Sequence, residues 1–145
     1  MTITIRAYQE QDRAAVIRLW HECGLVRPWN DPETDLARKL TMQAELFLVG
    51  EFEGRIVASA MAGFDGHRGS VYYLAVDPRH QHMGHGRELM ARVEAELLAL
   101  GCPKLNIAVR TSNESVLAFY RRLGYSVDDV ASLGKRLIAD DTASP

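Results

Sequence analysis

The stretch Val71-Tyr72-Tyr73-Leu74-Ala75-Val76-Asp77-Pro78-Arg79-His80-Gln81-His82-Met83-Gly84-His85-Gly86-Arg87-Glu88-Leu89-Met90 decides the fold. Val71–Val76 reads as a buried strand, stopped by Asp77-Pro78. A polar loop, Arg79–His85, follows. From about Gly86 the spacing predicts a helix with Leu89, Met90, Val93 and Leu97 on its inner side, closed by Gly101. Two glycines at the mouth of a helix let the backbone come close to a ligand. The first helical N–H groups have no internal partners, and with the helix dipole they form an anion site suited to a pyrophosphate. Arg79, Arg87 and Arg92 add local positive charge. The phosphate-loop pattern GxxxxGK[ST] is absent, which argues against an ATPase or GTPase. The dinucleotide pattern GxGxxG is half present: Leu89 stands at its third glycine, and a hairpin precedes it where a Rossmann unit has none. What stands is Q-x-x-G-x-G, carried by Gln81, Gly84 and Gly86, between a strand and a helix.

Upstream, residues 2–7 alternate Ile3, Ile5 and Ala7 on one side and predict a first strand. Asp12 is placed to cap a helix whose apolar face is Val16, Leu19, Trp20 and Cys23, ended by Gly24. Asp31-Pro32-Glu33 starts a second helix, expected to run to about Gln43. Leu46–Glu51 and Ile56–Phe64 flank a Gly54 turn and read as an antiparallel hairpin. Downstream, Lys104–Val109 reads as a strand, Asn113–Leu123 as a helix ended by Gly124, and 125–130 and 132–138 as two closing strands. The order β-α-α-β-β-β-α-β-α-β-β implies an α/β (mixed α+β) fold, a mixed sheet with helices on both faces. Residues 1–138 read as one domain and 139–145 as a frayed tail.

Composition agrees with that reading. The chain has 145 residues, 47% hydrophobic and 25% charged, an ordinary globular balance that excludes a disordered chain or a disulfide scaffold. Lys and Arg total 17 against 19 Asp and Glu, a net charge of −2, unlike a dedicated nucleic-acid binder. The longest uncharged apolar stretch, Ile56–Phe64, is far short of the ~20 residues that span a bilayer. Cys23 and Cys102 share no short spacing, and no signal peptide is recognisable, so a reduced cytoplasmic chain is expected, as monomer or homodimer.

A second element strengthens the loop. Asn113-Glu114-Ser115-Val116-Leu117-Ala118-Phe119-Tyr120 followed by Arg121-Arg122-Leu123-Gly124-Tyr125 resembles the N-x₆-Y-x₃-G-[FY] helix of the GNAT family of CoA-dependent N-acetyltransferases. Gln81, Gly84 and Gly86 match that family's [QR]-x-x-G-x-[GA]. The resemblance covers about residues 3–138 and is nearest the small bacterial YpeA-type members in Arg27–Pro32 and Asp65–Gly69. It implies a central mixed, mostly antiparallel sheet flanked by helices, with two strands splayed apart. It also implies acetyl-CoA as donor and direct attack by the amine, with no covalent enzyme intermediate. Leu74, Ala75 and Val76 would then pair with the pantetheine arm, with a backbone N–H near Val76 holding the oxyanion. Gln81, His82, Met83, Gly84, His85, Gly86 and Arg87 would cradle the pyrophosphate. Asn113 would cap its helix or touch the cofactor. Tyr120 would protonate or hydrogen-bond the leaving thiolate. Three positions depart from the family pattern: His82 where Gly is frequent, His85 where an apolar residue is usual, and Ala108 where N-terminal acetyltransferases carry Glu.

An alkylamine with pKa near 10 arrives protonated, so a base, or a water chain to one, is useful. Glu51, Asp65, His67 and the hydroxyls of Tyr72 or Tyr73 are the candidates. Alternation puts Tyr72 and Tyr73 on opposite faces. Trp29, Tyr72, Tyr73 and His67 are candidate acceptor contacts. His80, His82 and His85 lack an acidic or Cys partner at metal-ligand spacing, so no metal is expected. The acceptor is a primary amine on a small metabolite, a peptide or a protein; nucleic acid and membrane are not expected. The rival reading is a non-catalytic acyl-CoA-binding sensor.

Overall fold

The computed structural model describes residues 2–140. Five strands form one sheet in the order β1 (Thr4–Ala7), β2 (Phe47–Phe52), β3 (Arg55–Phe64), β4 (Gly69–Val76) and β5 (Leu105–Asn106). β1 to β4 pair antiparallel, and β4 pairs with β5 in parallel. Four α-helices flank the sheet: α1 (Arg13–Glu22), α2 (Pro32–Lys39), α3 (His85–Ala99) and α4 (Glu114–Arg122). This is the mixed, mostly antiparallel sheet that the sequence implies.

Period-two patterning feeds two cores. Phe47, Val49 and Ala75 pack with Val16, Leu19, Trp20 and Leu36 on the α1–α2 face. Leu48, Val57, Ala60 and Val71 pack with Leu89, Met90, Val93 and Leu97 on the α3 face. Both sheet faces are covered, which explains why β2 and β3 read as continuous apolar runs. The β2–β3 turn places Glu53 at φ 51° and Gly54 at φ 77°, as a two-residue hairpin turn of the primed type requires.

Four boundaries differ from expectation. α2 ends at Lys39, not near Gln43, because Gln43 takes a left-handed conformation, φ 52°, and turns the chain toward β2. Asp12 stands at the start of α1, but its carboxylate does not cap that helix; it accepts from Gln9 N and from the Arg6 guanidinium at 2.8 Å. The Arg6 guanidinium holds the Asp12 carboxyl below the usual carboxylate range. β5 is confined to Leu105–Asn106 rather than Lys104–Val109; Ile107 and Val109 still pack against the α3-side core, without ladder partners. Neither closing strand, 125–130 nor 132–138, is present among the described residues. That segment is tied down by side chains instead: Lys104 to Asp128 at 2.9 Å, Arg136 to Asn30 at 2.7 Å and Arg38 to Asp140 at 2.6 Å. Val127, Val130 and Leu133 stay exposed, so no core contact draws the segment into a ladder. Of the expected tail, Asp140 is thus anchored to α2, while 141–145 lie outside the described residues.

Candidate active site

The site begins with a bulge in β4. Ser59 pairs with Ala75 and Met61 with Tyr72, so β4 carries one residue more than β3 across that interval. Tyr73 takes φ 53° to make room for it. A buried relay fixes the distortion. The Trp20 indole N–H donates to Ser59 Oγ at 2.9 Å, and Ser59 Oγ donates to the Tyr73 carbonyl at 2.9 Å. The Tyr73 ring stacks on Trp20 with centroids 3.9 Å apart, and its hydroxyl donates to Asp35 Oδ2 at 2.6 Å. The bulge lies just beyond the point where β4 parts from β5. Only Gly69 and Ser70 are paired there, so Val71–Val76 present an edge to β5 without ladder bonds.

That free edge leads to the loop before α3. His82 at φ 64° and Gly84 at φ 85° are both left-handed, which folds the backbone into a concave turn. The first bond inside α3 runs from Glu88 N to Gly84 O, so the N–H groups of His85, Gly86 and Arg87 have no helical acceptor. Gly86 is also required by packing: a Cβ there would meet the Phe119 ring at 3.2 Å and Val76 Cγ2 at 3.6 Å. α4 therefore closes directly on the mouth of α3. Gln81, His82, Met83 and Arg87 are exposed around it. Gln81 Nε2 donates to the Val76 carbonyl at 3.1 Å, joining the loop to the strand end. Of the three arginines, Arg79 is tied to Asp77 at 3.0 Å and Arg92 to Glu96 at 2.8 Å, leaving Arg87 outside any ion pair among the described residues. His85 turns its ring inward, 1% exposed, with both ring nitrogens unpartnered beside Phe52 and His80. Only its backbone N–H faces the loop. His82 points outward, and no group of three metal-ligating side chains converges among the described residues.

On the far side of the split lies a cleft of about 1080 Å³, bordered by β4, the 105–109 segment, α4 and residues 126–132. Tyr120 borders it, 7% exposed, against Phe119 and Tyr125. Burial pushes the Tyr120 phenol above its ordinary value, so it is a neutral hydrogen-bond donor at physiological pH. Tyr72, 57% exposed, lines the cleft, whereas Tyr73 is committed to the other face, as alternation requires. Leu74 and Val76 are half-buried and Ala75 is buried. Asn113 caps α4, its Oδ1 accepting from Val116 N at 3.4 Å. Trp29 lies under the Arg110 guanidinium at 5.3 Å. Among the candidate bases, Glu51 is taken by Arg6 at 2.9 Å, and His67 is exposed outside the cleft lining. Asp65 lines the cleft, but Oδ1 already accepts from the N–H groups of Arg68 and His67, which hold its carboxyl below the usual range. Ala108 lines the cleft as well, so no carboxylate stands there.

Sequence reasoning missed two features. Ser59, the lone hydroxyl within the apolar run Ile56–Phe64, was the available signal for the bulge relay. Cys23, read as a small apolar residue, donates from Sγ to the Val76 carbonyl at 3.3 Å. Burial and Asp77 push its thiol up to about 11.

A model of the acetyltransferase (GNAT) family matches residues 9–125, and the chain belongs to that family. It is accordingly an enzyme of the acyltransferase class. It is 53% identical over 136 residues to an acetyltransferase of Yersinia pestis (strain Pestoides F), covering 94% of this chain and 96% of that one. The ribosomal-protein-S18-alanine N-acetyltransferase of Escherichia coli superposes with TM-score 0.72 at 26% identity, over 85% of this chain and 77% of that one. The PaiA N-acetyltransferase of Thermoplasma acidophilum, solved with coenzyme A, superposes with TM-score 0.77 at 18% identity, over 90% and 94% of the two chains, a likeness of fold. No helix among the described residues is long and apolar enough to cross a membrane.

Proposed function

We propose that the chain transfers acetyl from acetyl-CoA to a primary amine of a small metabolite, peptide or protein by direct attack. The observation that carries this is the free edge of β4 running straight into the free N–H groups of α3. Leu74–Val76 offer backbone groups to an extended amide-bearing arm, as an added strand would need. Gln81–Arg87 offer a concave run of N–H donors and one unpaired arginine to a pyrophosphate. Gly86 lets α4 close on the mouth of α3 beside these donors, since a side chain there would displace Phe119.

In the reaction a C–N bond forms, the C–S bond breaks, and the amine's proton passes to water in the open cleft. Tyr120 donates a hydrogen bond to the departing thiolate. A thiol has pKa about 8.5 against about 10 for an unperturbed phenol, and burial widens that gap, so Tyr120 keeps its proton and stabilises the charge by donation alone. With Glu51 ion-paired and Ala108 apolar, the enzyme works best on amines that lose a proton readily or at mildly alkaline pH.

Calorimetric titration with acetyl-CoA, against NAD as control, followed by thiol-release assays over an amine panel, tests the reading. Selective acetyl-CoA binding with thiol release on adding an amine is expected. Equal binding of both ligands, or of neither, overturns the donor assignment. Tight acetyl-CoA binding with no transfer to any amine overturns catalysis in favour of a sensor.

A further inference from the structure

The cleft carries cations that the acetyl-transfer chemistry does not use. Lys39, Arg68, Lys104 and Arg121 line it, against Asp65 and Asp128. Lys104 is neutralised by Asp128 at 2.9 Å. Lys39, Arg68 and Arg121 take part in no ion pair among the described residues.

Lys39 is the most constrained of them. It is half-buried at the end of α2, with Nζ donating to the carbonyls of Met42 at 2.9 Å and Ala62. An ammonium has three N–H bonds, so one remains free. Burial pulls its pKa below that of an ordinary lysine, with the Glu45 carboxylate offsetting only part of that cost. Gly63, paired with Ser70 across β3 and β4, brings no side chain to the cleft wall it shares with Lys39 and Ser70. Around the point a Cβ would occupy lie Gln43 Oε1 at 3.3 Å, Lys39 Nζ at 3.7 Å and Ser70 Oγ at 4.0 Å. Gln43 is spent on the Phe64 backbone, its Oε1 accepting at 2.8 Å and its Nε2 donating at 3.0 Å. The groups left to meet a ligand are an ammonium and a hydroxyl, both able to donate; Arg68, whose Nη1 donates to the His67 carbonyl at 3.0 Å, lines the same cleft with its other N–H groups free of ion pairs among the described residues.

We propose that Lys39, Ser70 and Arg68 form an anion subsite at Gly63, so that the amine acceptor carries a carboxylate or phosphate. This rests on the acetyltransferase reading for the word acceptor, not for the subsite itself. At about 3.3 Å per strand residue, Ser70 lies on the order of 10 Å along β4 from Leu74. The negative group and the reacting nitrogen therefore sit at opposite ends of the acceptor, not on one carbon.

The test compares ε-aminocaproate with ε-aminocaproamide, and aminohexyl phosphate with aminohexanol, as acceptors. The anionic member of at least one pair is expected to show kcat/KM higher by about tenfold or more, as for a charge-assisted hydrogen bond. The larger ratio tells carboxylate from phosphate. Lys39→Met should bring the ratio near one, and Arg68→Gln should reduce it, with acetyl-CoA affinity checking the fold of each variant. Equal use of acid and neutral acceptors by the unmodified enzyme overturns the subsite while leaving the acetyltransferase reading intact. A second readout does not need turnover: inorganic phosphate should shift the amide resonances of Gly63 and Ser70, and Lys39→Met should abolish the shift. If no amine is acetylated but this shift appears, the subsite stands and the acetyltransferase reading falls; no shift, with no acid preference, ends the proposal.

Discussion

The two edges of β4 are built differently. Along β3 it is paired from Gly69 to Val76, and its side chains join both cores. Along β5 it is paired only at Gly69 and Ser70. One edge carries cohesion and the other carries the opening, and the bulge at Tyr73 lets one strand do both. The relay Trp20–Ser59–Tyr73 belongs to the cohesive side, yet it braces the bulge next to the unpaired side.

The largest expected effect comes from breaking that relay. Trp20→Ala removes a fully buried ring and should cost about 3–5 kcal/mol in a denaturant melt. It should also weaken acetyl-CoA binding in the protein that remains folded, because the bulge loses its support. A large stability loss with unchanged affinity would show the two edges to be independent. On the open side, Tyr120→Phe should lower kcat by about a hundredfold, the low end for losing a hydrogen-bond donor to developing charge, with acetyl-CoA affinity nearly unchanged by calorimetry. Equal loss of both, or no loss of kcat, would remove Tyr120 from the chemistry.

Cys23 reports on the seam between the edges. Its thiol, pushed up to about 11, is almost wholly protonated at neutral pH. Alkylation by iodoacetamide should be slow at pH 8 and should climb about tenfold per pH unit toward 11, since the thiolate is the nucleophile. The sign for stability follows. The folded state holds this proton more tightly than the unfolded chain, so the contribution is complete below about 9 and is lost as pH rises from there through 11. The smallest effect is at His82. Its φ of 64° suits glycine, so His82→Gly should shift stability by less than about 1 kcal/mol, relief of strain and lost chain entropy nearly cancelling. His82→Val, β-branched in a left-handed position, should be the worse variant in a thermal melt.

Much of this architecture is legible in the residues because it is written locally. Glycines at 24, 101 and 124 end helices with positive φ, and Asp31-Pro32 starts α2. The loop Gln81–Gly86 lies between β4 and α3 where the spacing put it. What was not legible depends on partners far along the chain. The bulge needs Trp20 to meet Ser59 across 39 positions, and nothing in Val71–Val76 itself announces the extra residue. β5 stops at Asn106 where its ladder with β4 stops, although the alternation of Lys104–Val109 runs on without it. The fates of Glu51, Arg79 and Arg92 were hidden for the same reason, since each is taken by an ion-pair partner that periodicity does not reveal.

The inward ring of His85 bears on how much heat this protein tolerates. Two ring nitrogens buried without partners forgo the hydrogen bonds they make in water, on the order of 1–3 kcal/mol for a group so stranded. Leucine fills a similar volume beside Phe52 and His80 without that cost. His85→Leu should therefore raise the melting temperature by several degrees in differential scanning calorimetry, about 2–8 °C per kcal/mol for domains of roughly this size. The molecule thus holds a reserve of thermal tolerance at the foot of its own glycine loop, one substitution away.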